Sequence, residues 1–269
     1  MKITFDSNLW EQIVHPHRFP KPAERHLNLL AVHRALKDRK IAGYISESVL
    51  TMEGIKRKDR PRFLTTQPMR PRILDTWDPD VRPVILAPDQ SDRPPLMPVL
   101  NDRMRDAVSL GLRLVKLPIY NEMEIPTDYF AAEPPNFIDR YGVVAHAINS
   151  MGVGRAILEA LGWKLAMRVS GTYVYAVGAL PSVGELSAED EGEIAKAVAE
   201  ASDGDAVTAH IAIGNDYFAT EDVGKSAGGH SVLDREHRER LYKEYGVRFV
   251  CLDELARLIA NDCGNAPLS

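Results

Sequence analysis

The chain opens with a short apolar run, Ile3, Thr4 and Phe5, that stops at Asp6, Ser7 and Asn8. Residues 2–6 have the length and β-prone content of a buried strand. In AERHLNLLAVHRALKDRK (23–40), Leu27, Leu30, Ala31, Arg34 and Leu36 line one stripe at helical spacing. IAGYIS (41–46) then predicts a second strand, and SVLTMEGIKRK (48–58) a helix capped by Ser46 or Ser48. An alternation of strand and helix favours a parallel sheet covered by helices, an α/β, Rossmann-like class.

The pattern breaks after residue 58. Nine of the eighteen prolines lie between Pro61 and Pro98, a density that disfavours both helix and central strand. The reading is an irregular Pro-rich insertion with one edge strand at PVILAP (83–88), then a helix at 99–110 and a strand at LRLVKLPI (112–119). Residues 136–161 carry the longest helical pattern, which Gly152 and Gly154 bend or split. WKLAMRVSGTYVYAVGALP (163–181) is ambiguous, with β-prone residues at its centre. Regularity then returns. A helix over 187–202 starts on a capping box of Ser187 and Asp190. A helix follows at 205–213, a strand at 216–220, a helix at 231–246, a strand at 247–252 and a final helix at 253–260, with Asp253 near its cap.

Bulk properties narrow the classes. The 269 residues are 45% hydrophobic and 26% charged, with net charge −5, as in a globular protein rather than a globally basic nucleic-acid binder. A local basic patch remains open. The only cysteines, Cys251 and Cys263, form no CxxC pair, which disfavours a zinc ribbon or a disulfide framework. No apolar run approaches the roughly 20 residues of a membrane helix, and the N-terminus lacks a signal-peptide core. A cytoplasmic location without membrane partners is the expectation.

The informative residues are acids. Functional groups of a parallel sheet gather beyond the carboxyl ends of its strands. Asp6 ends the first strand, Glu53 lies on the helix after the second, Asp205 opens a helix, and Asp222 follows a strand within FATED. Like charges brought together need a cation between them, and carboxylate-only ligation suits Mg²⁺ or Mn²⁺ rather than zinc. Each acid has a plainer reading. Asp6 serves equally as a turn residue, Glu53 competes with Glu47, Asp205 with Asp203 or an N-cap role, and Asp222 with Glu221. Asp216 precedes its strand and so falls at the opposite edge. His210 reads better as a packed helix residue than as a catalytic one.

The ordered set ITFDSN, SESVLTME, DAVTAHIAIGNDYFATED and GVRFVCLDELARL resembles the PIN-domain nucleases over about 1–58 and 187–260, with 59–186 as a large insertion in a single domain, 1–269. The resemblance implies a PIN-like sheet and a metal-dependent nuclease, most readily a ribonuclease. Asp6, Glu53, Asp205 and Asp222 would ligate Mg²⁺ or Mn²⁺, and Asn8 and Thr220 would support the metal site or the phosphate. Some members of the family are toxins held by an antitoxin, so a protein partner of that kind is also an expectation. The basic stretch Lys56, Arg57, Lys58, Arg60 and Arg62, continued by Arg70 and Arg72, suits an RNA backbone as well as it suits a solvated surface. VGKSAGGHS (223–231) fails the spacing of a nucleotide phosphate loop because residue 219 is Ala.

Two other classes compete. A haloacid-dehalogenase-like phosphatase needs a second Asp two residues after the first, where this chain has Asn8. A non-catalytic scaffold would use the insertion as a partner or homo-oligomer interface.

Overall fold

The first apolar run forms β1 (Lys2–Phe5), in which Ile3, Thr4 and Phe5 are all buried. Burial on both faces follows from its central place in a sheet covered by helices on either side. The computed structural model describes residues 1–18, 22–50, 98–118, 125–170, 187–224 and 230–264. Among them, β1 is joined by β2 (Ala42–Ser46), β3 (Leu112–Val115), β4 (Tyr217–Ala219) and β5 (Arg248–Val250) in one five-stranded sheet of order β3-β2-β1-β4-β5. Every pairing is parallel, in the register Ile3↔Gly43, Ile3↔Tyr217, Gly43↔Leu112 and Tyr217↔Arg248. The α/β, Rossmann-like architecture expected from the alternation of elements is therefore observed.

The crossovers are α1 (Ser7–Val14), α2 (Ala23–Lys37), α3 (Pro98–Leu110), α4 (Phe137–Ser150), α5 (Arg155–Ser170), α6 (Ala188–Ile213), α7 (Arg235–Tyr245) and α8 (Leu252–Gly264). One face of the sheet packs Ile3 and Phe5 against Trp10 and Ile13 of α1, Val32 and Leu36 of α2, Leu100 and Met104 of α3, and Leu255 and Ile259 of α8. On the other face Phe218 packs with Val207 of α6, Val144 and Ile148 of α4 and Leu241 of α7.

Several boundaries differ from the sequence expectation, each for a physical reason. Asp6, Ser7 and Asn8 do not end in a turn. Asp6 is the N-cap of α1, with its side chain accepting from the Ser7 amide, and Leu9, Trp10, Ile13 and Val14 bury the helix against the sheet. The glycines do split 136–161: α4 ends at Ser150, and Gly152 and Gly154 take φ of 76° and 64° before α5 begins. The ambiguous stretch is helical as far as Ser170. The helix expected from Ser231 starts at Arg235, capped by Asp234. β3 pairs with β2, so the sheet takes an edge strand from the stretch 59–186 read as an insertion. The edge strand expected at 83–88, Glu53 and the basic residues Lys56, Arg57, Lys58, Arg60 and Arg62 lie outside the described residues.

The largest departure is α6. The two helices expected at 187–202 and 205–213 are one helix of 26 residues, started by the Ser187–Asp190 capping box and stopped at Gly214 in the left-handed conformation. Asp205 is therefore in mid-helix, not at a helix start. Gly204 does not break the helix but lets α5 approach: a Cβ built there would sit 2.7 Å from Gly154 Cα. Beside this contact Arg155 donates Nε to Asp205 Oδ1 (2.7 Å) and Nη2 to Oδ2 (2.8 Å).

Gly204→Ala is accordingly expected to lower stability by about 1–3 kcal/mol through overpacking, despite the ~1 kcal/mol that Ala gains over Gly in a helix. Gly192→Ala on the same helix, where nothing lies within 4 Å of the added carbon, is expected to stabilise. Urea unfolding of the two variants checks the contrast.

Candidate active site

The strand order places β2 and β3 on one side of β1 and β4 and β5 on the other. The carboxyl ends of β1 and β4 thus flank the switch point of the sheet, where ligands of open α/β folds bind. Pairing continues one residue past β1: the Asp6 amide donates to Ala219 O at 3.0 Å, and the next amide of the neighbouring strand, Thr220, donates to Val250 O at 3.0 Å. Asp6 and Thr220 therefore leave the sheet side by side.

Their side chains join. Thr220 Oγ1 donates to Asp6 Oδ2 at 2.5 Å, Asn8 Nδ2 donates to the same oxygen at 2.8 Å, and the Ser7 amide donates to Oδ1 at 2.7 Å. The Asp222 amide donates to Thr220 Oγ1 at 3.0 Å, and the Glu221 amide to Asn8 Oδ1 at 3.3 Å. The four residues Asp6, Asn8, Thr220 and Asp222 form one network across the β1–β4 joint. Asp6 is only 4% exposed, whereas Asp222 is half-buried. Asp222 Oδ1 accepts from the Gly224 amide at 2.7 Å, and among the described residues Oδ2 accepts from none.

Burial raises the pKa of Asp6, and the nearby charge of Asp222 raises it further, against the lowering effect of the Thr220 and Ser7 hydrogen bonds. Glu200 of α6 extends this acidic region. Its Oε2 is buried without a hydrogen-bond partner among the described residues. Its pKa is raised first by burial and then by Asp222 and Asp234, while a Ser231 hydrogen bond lowers it. The sequence reading missed Glu200. Only knowledge that α6 is continuous, and so carries residue 200 toward the same edge, could have found it.

The remaining acids are placed elsewhere. Asp205 is 2% exposed and held by Arg155 and by the Tyr141 hydroxyl at 3.3 Å. Among the described residues no group of three or more His, Cys, Asp or Glu side chains is gathered to hold a metal ion, so Asp205 does not join Asp6 and Asp222. Glu47, buried just past β2, accepts from the Leu117 amide at 2.7 Å. Glu221 ties the start of α8, accepting from the Leu252 amide at 3.0 Å and pairing with Arg25 at 3.3 Å. Asp216 lies at the opposite edge, where Oδ2 accepts from the Lys2 amide at 2.7 Å. His210 is buried below the site, with Nδ1 2.9 Å from Thr4 Oγ1 and its ring edge-on to Phe218. Burial lowers its pKa from 6.5 to about 3, against a smaller opposite effect of Asp216.

No protein-family model matches the chain, and no curated protein matches it significantly. No helix among the described residues is long and apolar enough to cross a membrane.

The two buried titrating groups act in opposite senses. Asp6 has a raised pKa in the folded state, so its charge opposes folding at neutral pH and this opposition fades as pH falls through the folded pKa. Asp6→Asn should therefore raise the melting temperature of the metal-free protein at pH 8, by an increment that shrinks as the pH is lowered through the folded pKa. His210 resists protonation in the folded state, so stability should fall by about 1.4 kcal/mol per pH unit below 6.5 and level off near 3. Urea titrations between pH 7 and 4.5 should show this slope in wild type and its loss in His210→Asn.

Proposed function

We propose that the chain is a metal-dependent PIN-like nuclease, an endoribonuclease that hydrolyses phosphodiester bonds at the β1–β4 switch point. The observation that carries this reading is the network of Asp6, Asn8, Thr220 and Asp222, two carboxylates far apart in sequence brought to one sheet edge. The donor set fits a hard divalent cation. All its ligand atoms are oxygens, Asp222 Oδ2 is unengaged among the described residues, and the buried Asp6 carboxylate lies under a like charge that a cation relieves. Mg²⁺ binds through as few as one or two carboxylates, completing its shell with water and substrate phosphate. Asp6 and Asp222 would hold Mg²⁺ or Mn²⁺, with Glu53 completing the set as the resemblance implies. When bound, such an ion polarises a phosphoryl oxygen and lowers the pKa of water.

The chain's own residues do the positioning. Ser7, Asn8 and Thr220 fix both oxygens of Asp6, so the carboxylate is oriented before any ligand arrives. Thr220, accepting from the Asp222 amide, sets the distance between the two acids. The basic residues Lys56, Arg57, Lys58, Arg60 and Arg62 would carry the RNA backbone.

One observation favours a second reading. Asp205, the third acid of the resemblance, is consumed by a bidentate ion pair with Arg155, as suits a non-catalytic PIN-like scaffold. The test uses a fluorogenic single-stranded RNA with Mn²⁺. Asp6→Asn and Asp222→Asn should each lower cleavage by about 100-fold or more, a barrier increase of about 3 kcal/mol, with circular dichroism unchanged. Cleavage at wild-type rate by both variants would sink the site. Absence of Mn²⁺ binding to wild type by calorimetry would favour the scaffold.

A further inference from the structure

Arg238 of α7 stands beside the acids without being paired to any of them. Its guanidinium carbon lies 4.8 Å from the centroid of the Phe249 ring, a cation–π stack. Nη2 donates to the backbone oxygen of Asp222. The charges of Asp222, Asp6, Asp234 and Glu254 all act on it, yet none of these carboxylates takes a hydrogen bond or an ion pair from it. Its Nε is buried with no partner among the described residues. Burial lowers its pKa and the four acids raise it, and an arginine stays protonated in any case.

An unpaired buried N–H costs about 1–3 kcal/mol, more on a charged group, and such exceptions ask for an acceptor. The stack on Phe249 and the bond to Asp222 O hold the guanidinium from two sides. Nε is closed off from a ligand, and what is left is Nη1, a charged donor that among the described residues gives no hydrogen bond and is not one of the buried unpartnered atoms. A guanidinium is the side chain best matched to a phosphoryl group, because its planar fork can meet two oxygens at once.

We propose that Arg238 is the phosphoryl-oxyanion donor of the site, contacting the phosphate of a substrate held against Asp6 and Asp222. The identity of that substrate rests on the nuclease reading, whereas the phosphate contact does not. An arginine from α7 would offset the repulsion between an anionic substrate and the two carboxylates. It does so without occupying the carboxylate oxygens, since its hydrogen bond goes to the Asp222 main chain.

The test is binding of inorganic phosphate to the full chain in the presence of Mn²⁺, by calorimetry, for wild type, Arg238→Gln and Arg238→Lys, with RNA cleavage measured in parallel. The expected result is phosphate binding by wild type that weakens about tenfold or more in Arg238→Gln, with partial recovery in Arg238→Lys. In cleavage assays the loss should appear in KM for RNA as well as in kcat. Circular dichroism and thermal melts establish that the variants fold. Should Arg238→Gln unfold, Arg238→Lys answers in its place, with affinity intermediate between wild type and none because the charge stays and the fork is lost. Wild-type phosphate affinity in the folded variants overturns the assignment, as does wild type that binds no phosphate. Phosphate binding that depends on Arg238 in a chain that cleaves no RNA upholds the assignment and sinks the nuclease reading alone.

Discussion

The hydrogen bond from the Thr220 hydroxyl to the Asp6 carboxylate is the point on which the architecture turns. β1 and β4 are neighbours in the sheet but more than two hundred residues apart in the chain, and each starts a wing of the sheet on its own side. The main-chain ladder holds them as far as the Asp6 amide. Beyond it, side chains take over, and they do so around a carboxylate that burial disfavours as an ion. The Asp6 carboxylate also caps α1, whose Trp10 and Ile13 enter the core on one face of β1. One buried acid thus links sheet pairing, helix initiation and core packing, and three donors offset part of its desolvation.

The opposite face is organised by the approach of α5 to α6. Gly204 and Gly154 meet backbone to backbone, and the Arg155–Asp205 pair closes the contact from the side. A largely buried ion pair is weak evidence for stability, and what this one contributes is a fixed geometry. Here it fixes where along α6 the loop after α4 arrives.

Much of this was legible in the sequence because parallel strands buried on both faces read as short apolar runs between helical patterns. The strands expected at 2–6, IAGYIS, DYFAT and VRFVCL all fell close to observed strands, and the glycines at 152 and 154 marked a real break. The failures have a common origin. Asp6, Ser7 and Asn8 favour turns and N-caps equally, so α1 stayed hidden until its buried face was seen. Two helices are expected, at 187–202 and 205–213, although the helix runs through 203–204 and Gly204 is small because another backbone needs the space. Asp6, Asn8, Thr220 and Asp222 could be collected from their places after strands, since strand ends converge in this class of sheet. Glu200 and Arg238 could not. They reach the site through the length of one helix and the packing of another against Phe249 of β5, which no local spacing encodes.

The contrast between the two arginines shows how the charges are sorted. Buried Asp205 meets the partly exposed Arg155 through two hydrogen bonds, so its charge is largely cancelled. At the switch point Asp6 and Asp222 are adjacent, Glu200 is a further acid whose pKa, like that of Asp6, is raised by burial, and Arg238 donates only to a main-chain oxygen. A protein optimised for stability alone would pair these groups, because removing a charge from water without a partner is costly. Among the described residues, the charged groups with a buried atom that lacks a partner are Glu200 and Arg238 at this sheet edge, apart from His15 beside Asp106, whereas Asp205 has its ion pair and buried His210 its contact with Thr4. That clustering of charged, incompletely paired groups is the physical ground for proposing ligand binding at the β1–β4 joint rather than at Asp205, whose charge is paired.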